Sequence, residues 1–191
     1  MNASAAVLEH SPCVLDAPAL QRALVRLGHE VNERHGAMDT VVLAGVPTRG
    51  VPLAARLAAA ITDSGGRPPA VVELDPRGHR DDLPRTHDGA AALRTLSGAI
   101  VPPITGSTVI VVDDVLFTGR TMRAAIDALV SAGRPAVVEV LVLVDRGHRE
   151  LPIRATYVGK NVPTSWGERV AVRLREVDGV DGAWLVREGS A

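Results

Sequence analysis

Two adjacent carboxylates, Asp113 and Asp114, stand just ahead of the turn Thr118-Gly119-Arg120-Thr121. Carboxylates so placed can face neighbouring hydroxyls or a hydrated Mg²⁺. The turn offers two hydroxyls, backbone N–H groups, a guanidinium and the positive end of the helix that follows, which together make a phosphate cradle. Hydroxyls beside the acids and phosphate at the turn is chemistry suited to a phosphorylated sugar. The spacing is not that of a P-loop, which needs Gly-Lys-Ser/Thr after four spacers, nor of a dinucleotide fingerprint, which needs three spaced glycines.

Three further segments carry groups of the same kind. Pro47-Thr48-Arg49-Gly50 offers backbone amides and a guanidinium suited to bidentate phosphate contact. His79-Arg80-Asp81-Asp82 lies in a stretch from Asp75 to about Gly106 that is rich in Gly, Pro, Asp, Arg and His. So long a segment without regular structure suits a lid that excludes water from a leaving pyrophosphate. Asp145-Arg146-Gly147-His148-Arg149-Glu150 is the third.

The elements needed to hold these groups are legible. Val109-Ile110-Val111-Val112 is β-branched throughout and suits a strand over 107–112, buried on both faces, with the carboxylates following it. A helix over 120–132 then carries Met122, Ala125, Ile126, Leu129 and Val130 at helical spacing and stops at Gly133 and Pro135. Asp16 caps a helix to about His35 with Leu20, Ala23, Leu24, Leu27 and Val31 on one face. Strands are expected at Thr40–Gly45, Ala70–Leu74, Ala136–Val144, Ala155–Gly159, Val170–Leu174 and Ala183–Val186, with a helix over Val51–Thr62. The alternation of strands and helices gives an α/β fold with a mostly parallel twisted sheet flanked by helices. In such a sheet ligands sit beyond the carboxyl ends of the strands, where all four suspicious segments converge.

At 191 residues the chain makes one domain, expected over 15–187, after a loose lead-in at 1–14 and with a flexible lid at about 75–106. Hydrophobic content is 46%, yet aromatics are only 2%, so aliphatic residues must build the core. The net charge of −1 excludes bulk basicity as a route to nucleic acid, which leaves local patches. The single cysteine, Cys13, excludes an internal disulfide and suits a reducing compartment. No apolar run is long enough to span a membrane and no signal-peptide pattern is present, so a cytoplasmic location is expected.

The run Val109–Thr121 resembles the phosphoribosyl-pyrophosphate (PRPP) signature of type I phosphoribosyltransferases. Asp145-Arg146-Gly147-His148-Arg149-Glu150-Leu151-Pro152 and Gly159-Lys160-Asn161-Val162-Pro163-Thr164 are similar to the PyrR family, pyrimidine operon attenuation proteins that are also uracil phosphoribosyltransferases. The resemblance spans about residues 15–180. It implies a type I phosphoribosyltransferase fold with a flexible lid, formation of UMP and diphosphate from uracil and PRPP with Mg²⁺, and UMP-dependent binding of pyrimidine-gene mRNA by a homodimer or higher oligomer. A purely catalytic base phosphoribosyltransferase without RNA binding is the alternative.

Carried over by residue, the resemblance implies that PRPP contacts Val109, Ile110, Val111, Val112, Asp113, Asp114, Val115, Leu116, Phe117, Thr118, Gly119, Arg120 and Thr121, with Thr48 and Arg49 facing pyrophosphate. Asp113, Asp114, Arg80 and Asp81 are then the catalytic set, Mg²⁺ being carried by PRPP and reached through water. Arg146, Tyr157 and Val158 line the uracil pocket. Arg22, Arg26, His29, Arg34, His148, Arg149, Arg154 and Lys160 are the RNA-binding set, an electrostatic footprint for RNA phosphates. With so few aromatics, recognition is expected to rest on phosphates, hydrogen bonds and RNA shape rather than on stacking. The chain departs from the family at the lid, where Pro76-Arg77-Gly78-His79 replaces an Ile-Thr-Leu-Tyr run, at Val25, and at Trp166, where polar or basic residues are common.

Overall fold

The computed structural model of the chain describes residues 11–36, 38–79, 93–95 and 101–187. The run bearing the carboxylates is its central strand. In chain order the elements are β1 (Cys13–Leu15), α1 (Ala17–His35), β2 (Val41–Gly45), α2 (Gly50–Asp63), β3 (Ala70–Leu74), a 3₁₀ turn (Arg77–His79), β4 (Leu93–Thr95), β5 (Thr108–Leu116), α3 (Arg120–Ala132), β6 (Val137–Asp145), β7 (Tyr157–Asn161), β8 (Glu168–Arg173), α4 (Arg175–Asp178) and β9 (Gly182–Arg187).

Six strands form one sheet in the order β4-β3-β2-β5-β6-β7, with only β4 antiparallel. Strand alternation sorts β5 between two cores. Ile110 and Val112 join a cluster with Leu24 and Leu27 of α1 and Leu53 and Leu57 of α2. Val109 and Val111 join the opposite cluster with Met122, Ala125 and Leu129 of α3. Both faces are covered, which is why the strand reads as an unbroken apolar run.

The strand does not stop at Val112 as expected. It continues through both carboxylates to Leu116, pairing Asp113 with Val142 and Leu116 with Asp145. The partner β6 is equally long, so ladder pairing overrides the change in residue type. The capping readings hold: Asp16 Oδ1 accepts the Ala19 N–H at 2.8 Å, and α1 ends at His35.

Two expectations are corrected. The lead-in is ordered from Cys13, which pairs with β9. The last strands do not extend the large sheet: β1, β9 and β8 form a separate antiparallel sheet. Parallel neighbours need a crossover of a dozen or more residues, and the connection 174–181 is too short for one. Within the expected lid, the 3₁₀ turn and β4 are regular, and β4 closes the sheet edge on β3.

Candidate functional site

Because successive residues of a strand face opposite ways, Asp113 and Asp114 are held on opposite sides of the end of β5. Asp113 is buried, 7% exposed, with Oδ1 accepting the Asp114 N–H at 2.9 Å. Asp114 Oδ1 accepts the Val115 N–H at 2.8 Å. Burial first, and then the neighbouring Asp114 charge, pushes the Asp113 carboxyl well above the usual carboxylate range. Burial raises Asp114 as well, against the pull of Arg49. The pair is therefore short of positive charge or hydrogen-bond donors, the condition that sugar hydroxyls or a hydrated cation relieve.

The turn after β5 is locked by its glycine. Gly119, at the N-cap of α3, has φ +93°, a conformation that side-chain-bearing residues rarely adopt. Its backbone releases the Thr118–Thr121 segment into the first turn of α3, with the Arg120 N–H 3.4 Å from Thr118 Oγ1. The segment after β6 is hydrogen-bonded along this loop. Arg146 N–H donates to Leu116 O, and the Glu150 and Leu151 N–H groups both donate to Thr118 O. Arg149 reaches Phe117 O at 2.7 Å, Ile153 O at 2.9 Å and the Asp145 carboxylate. Arg120 pairs with Glu150 at 2.7 Å. Residues 145–151 and the phosphate loop thus form one unit.

Loop 46–50 approaches the same end of β5. Val46 N–H donates to Val112 O at 2.9 Å, and a Cβ on Gly50 would lie 2.2 Å from that oxygen, so only glycine lets the chain pass. The peptide Pro47–Thr48 is cis. Arg49 does not point free for pyrophosphate: its fork takes Asp178 of α4, Nε to Oδ2 at 2.9 Å and Nη2 to Oδ1 at 2.8 Å. What the loop presents is Thr48 and the backbone at 48–50. Arg80 and Asp81 lie outside the described residues.

Of the base-binding expectations, Arg146 follows directly on the end of β6. It is buried beside the phosphate loop, with Nε donating to Thr164 Oγ1 at 3.1 Å and Cζ 3.8 Å from the Phe117 ring centroid. Tyr157 opens β7, paired with Leu141 in the middle of β6, and is 1% exposed; its hydroxyl reaches back to donate to Glu139 Oε2 at 2.8 Å, with His35 Nε2 3.0 Å away, so it does not face the carboxyl end of the sheet. Burial and Glu139 push this phenol above its ordinary value. Val158 also fails: its carbonyl, with that of Gly159, accepts from Arg26 at 2.9 and 2.7 Å. A strand's direction decides which end meets the ligand, and Tyr157 starts its strand.

The RNA-binding candidates divide into two groups. Arg26 ties α1 to β7, Arg34 lies 3.1 Å from Glu139, Lys160 Nζ donates to Val14 O, and Arg149 is committed to the phosphate loop. His148 Nε2 donates to Thr164 O. Arg22, His29 and Arg154 make no hydrogen bond or ion pair with a described residue. Sequence reading missed Asp178 and the second sheet, and singled out Glu150 without its partner Arg120. Nothing local marks Asp178, since its partner Arg49 is 129 residues away.

Residues 13–172 match the family model "Phosphoribosyl transferase domain". The chain is 56% identical over 178 residues to the bifunctional protein PyrR of Chloroflexus aurantiacus, covering 93% of this chain and 96% of that one. With the bifunctional protein PyrR of Bacillus subtilis it shares 52% over 166 residues, 86% of this chain and 91% of that one. A hypoxanthine phosphoribosyltransferase from Trypanosoma cruzi superposes with a TM-score of 0.70 at 18% identity, covering 94% of this chain and 97% of the other, a likeness of fold. The buried carboxylate pair, the Gly119-locked turn and these matches together place the chain in the phosphoribosyl transferase family, among the bifunctional PyrR proteins.

Proposed function

We propose that this chain transfers phosphoribose from PRPP to uracil and, with UMP in the same site, binds pyrimidine-gene mRNA. The observation that carries the catalytic half is the carboxylate pair held beside the Thr118–Thr121 turn at the end of β5. Asp113 and Asp114 receive the ribose hydroxyls, and the N–H groups and hydroxyls of Thr118–Thr121 take the 5′-phosphate. Thr48 and the backbone at 48–50 face pyrophosphate, and Arg146 bounds the base site. Uracil N1 forms a bond to the anomeric carbon as the carbon–oxygen bond to pyrophosphate breaks, and the N1 proton is released. Positioning and electrostatic stabilisation of the leaving group supply the rate.

Asp113 and Asp114 would hold, through water, a Mg²⁺ brought with PRPP, which would supply positive charge against the leaving pyrophosphate. A carboxylate pair with no third acidic or imidazole ligand among the described residues suits an ion that brings its own phosphate oxygens. The regulatory half places Arg22, His29 and Arg154 on RNA phosphates, in a cytoplasmic homodimer or higher oligomer. No helix among the described residues is long and apolar enough to cross a membrane.

UMP formation from uracil, PRPP and Mg²⁺ tests the first half: Asp113→Asn with Asp114→Asn abolishes it, and retained activity removes the role given to the pair. Binding of a pyrimidine-gene leader transcript across salt concentrations tests the second. Replacing Arg22, His29 and Arg154 by Ala lowers the salt slope by about one for each RNA phosphate no longer neutralised. An unchanged slope and affinity would move the RNA site elsewhere.

A further inference from the structure

Phe117 and Trp166, with His148, meet at the carboxyl end of the large sheet. The Phe117 and His148 centroids are 6.0 Å apart and edge-on, Phe117 and Trp166 are 5.8 Å apart and edge-on, and His148 and Trp166 are 5.0 Å apart and tilted. Each ring is held from behind. Arg146 stacks on Phe117. His148 sits in the left-handed region at φ 57°, unusual for a side-chain-bearing residue, and its Nε2–H is fixed on Thr164 O. Trp166, supported on one side by these two rings, is 63% exposed.

A large exposed indole braced by two other rings is a surface waiting for another flat group. Its surroundings say which. His148 is also a wall of a cavity of about 510 Å³ lined by Arg146, Arg149, Arg154 and Asn161. Arg154 makes no bond with a described residue there. Cationic and amide groups beside an exposed aromatic face suit a single-stranded nucleotide, its base on the ring and its phosphate on the guanidinium.

We infer that Trp166, braced by Phe117 and His148, is a stacking platform for one unpaired base of the bound RNA, with Arg154 holding the neighbouring phosphate. This rests on the RNA-binding reading above. It adds a stacking contact to a recognition mode otherwise built on phosphates and shape. It also gives the phosphate loop a side chain on the RNA surface, because Phe117 belongs to that loop.

Wild type, Trp166→Ala and Trp166→Phe are titrated with a labelled pyrimidine-gene leader transcript in the presence of UMP, and UMP formation is assayed in parallel. Trp166→Ala should weaken RNA binding roughly 5- to 150-fold, the range for removing one base–aromatic stack. Trp166→Phe should keep most of the affinity, and UMP formation should be unchanged in both. Equal RNA affinity in Trp166→Ala overturns the platform, as does a Trp166→Phe variant as weak as Trp166→Ala. A fall in UMP formation with RNA binding intact assigns the ring to the acceptor base instead and also overturns it. If wild type itself does not bind the transcript, the RNA-binding reading fails, and the platform with it.

Discussion

At the scale of single residues, Asp113 is a carboxyl group buried at a cost to stability. It is buried beside a second carboxylate, and among the described residues it accepts the Asp114 backbone N–H. Its folded-state pKa is raised, by burial first and Asp114 second. Between the ordinary carboxylate range and that raised value, the folded protein binds more protons than the unfolded chain, so stability falls as pH rises through the window. Asparagine preserves the oxygen that accepts from the Asp114 N–H and removes the charge. Asp113→Asn should therefore unfold at a higher temperature than wild type at pH 7, by roughly 2–4 °C for each kcal/mol relieved, while losing UMP formation. The gain in melting temperature should shrink as pH is lowered toward the usual carboxylate range. A variant that is both inactive and less stable at pH 7 would show that Asp113 is held by interactions beyond those in this structure.

At the scale of elements, the phosphate loop and segment 145–151 move together or not at all, since they share backbone hydrogen bonds at Leu116 and Thr118 and the Arg149 contact at Phe117. The Arg120–Glu150 pair is an ion pair between them whose side chains are 52% and 38% exposed. Such a pair contributes at most about 1 kcal/mol to stability. It does connect the Thr118–Thr121 turn to the segment carrying His148. Glu150→Gln should leave folding intact yet reduce the factor by which UMP tightens RNA binding. Reciprocity requires the factor by which RNA tightens UMP binding to fall equally. Isothermal titrations of each ligand with and without the other measure both, and an unchanged coupling factor would exclude Glu150 as the link. Much of this unit is legible in the sequence. The β-branched run, the turn and the apolar spacing of α3 announce a strand–turn–helix, and Asp16 announces α1. The strand's length is not legible, because pairing with β6 carries it through Asp113 and Asp114. Nor is the place of Tyr157, because a residue's type does not say which end of its strand it occupies. Alternation marks β8 and β9 as strands but is silent on which sheet they join.

At the scale of the whole molecule, the small antiparallel sheet is fastened to the large one by two arginine forks. Arg49, at the start of α2, grips Asp178. Arg56, about two turns further along, reaches Glu176 at 2.8 and 2.6 Å and Asp181 at 2.7 Å. Asp178 is the hub: Arg173 and the Leu174 N–H also bind it, at 2.8 and 2.9 Å. Burial alone would raise its pKa, but Arg49, Leu174 and Arg173 outweigh burial and hold the carboxylate well below its usual range. A carboxylate so depressed contributes stability that is fully present above the unfolded value near 3.9 and is lost as pH falls through the folded one. Asp178→Asn removes the carboxylate that Arg49 and Arg173 share, and should cost roughly 2–3 kcal/mol at pH 7. The same substitution should matter progressively less as pH drops below about 4, because the unfolded wild-type chain then takes up a proton that the folded carboxylate still resists, which erodes the advantage of the charge. Urea midpoints of the two proteins at pH 7 and along an acid series measure the difference. A gap that stays constant down the series would mean that Asp178 acts by shape alone. A gap that closes would identify its charge as what seats the small sheet, and with it loop 46–50, against the end of β5.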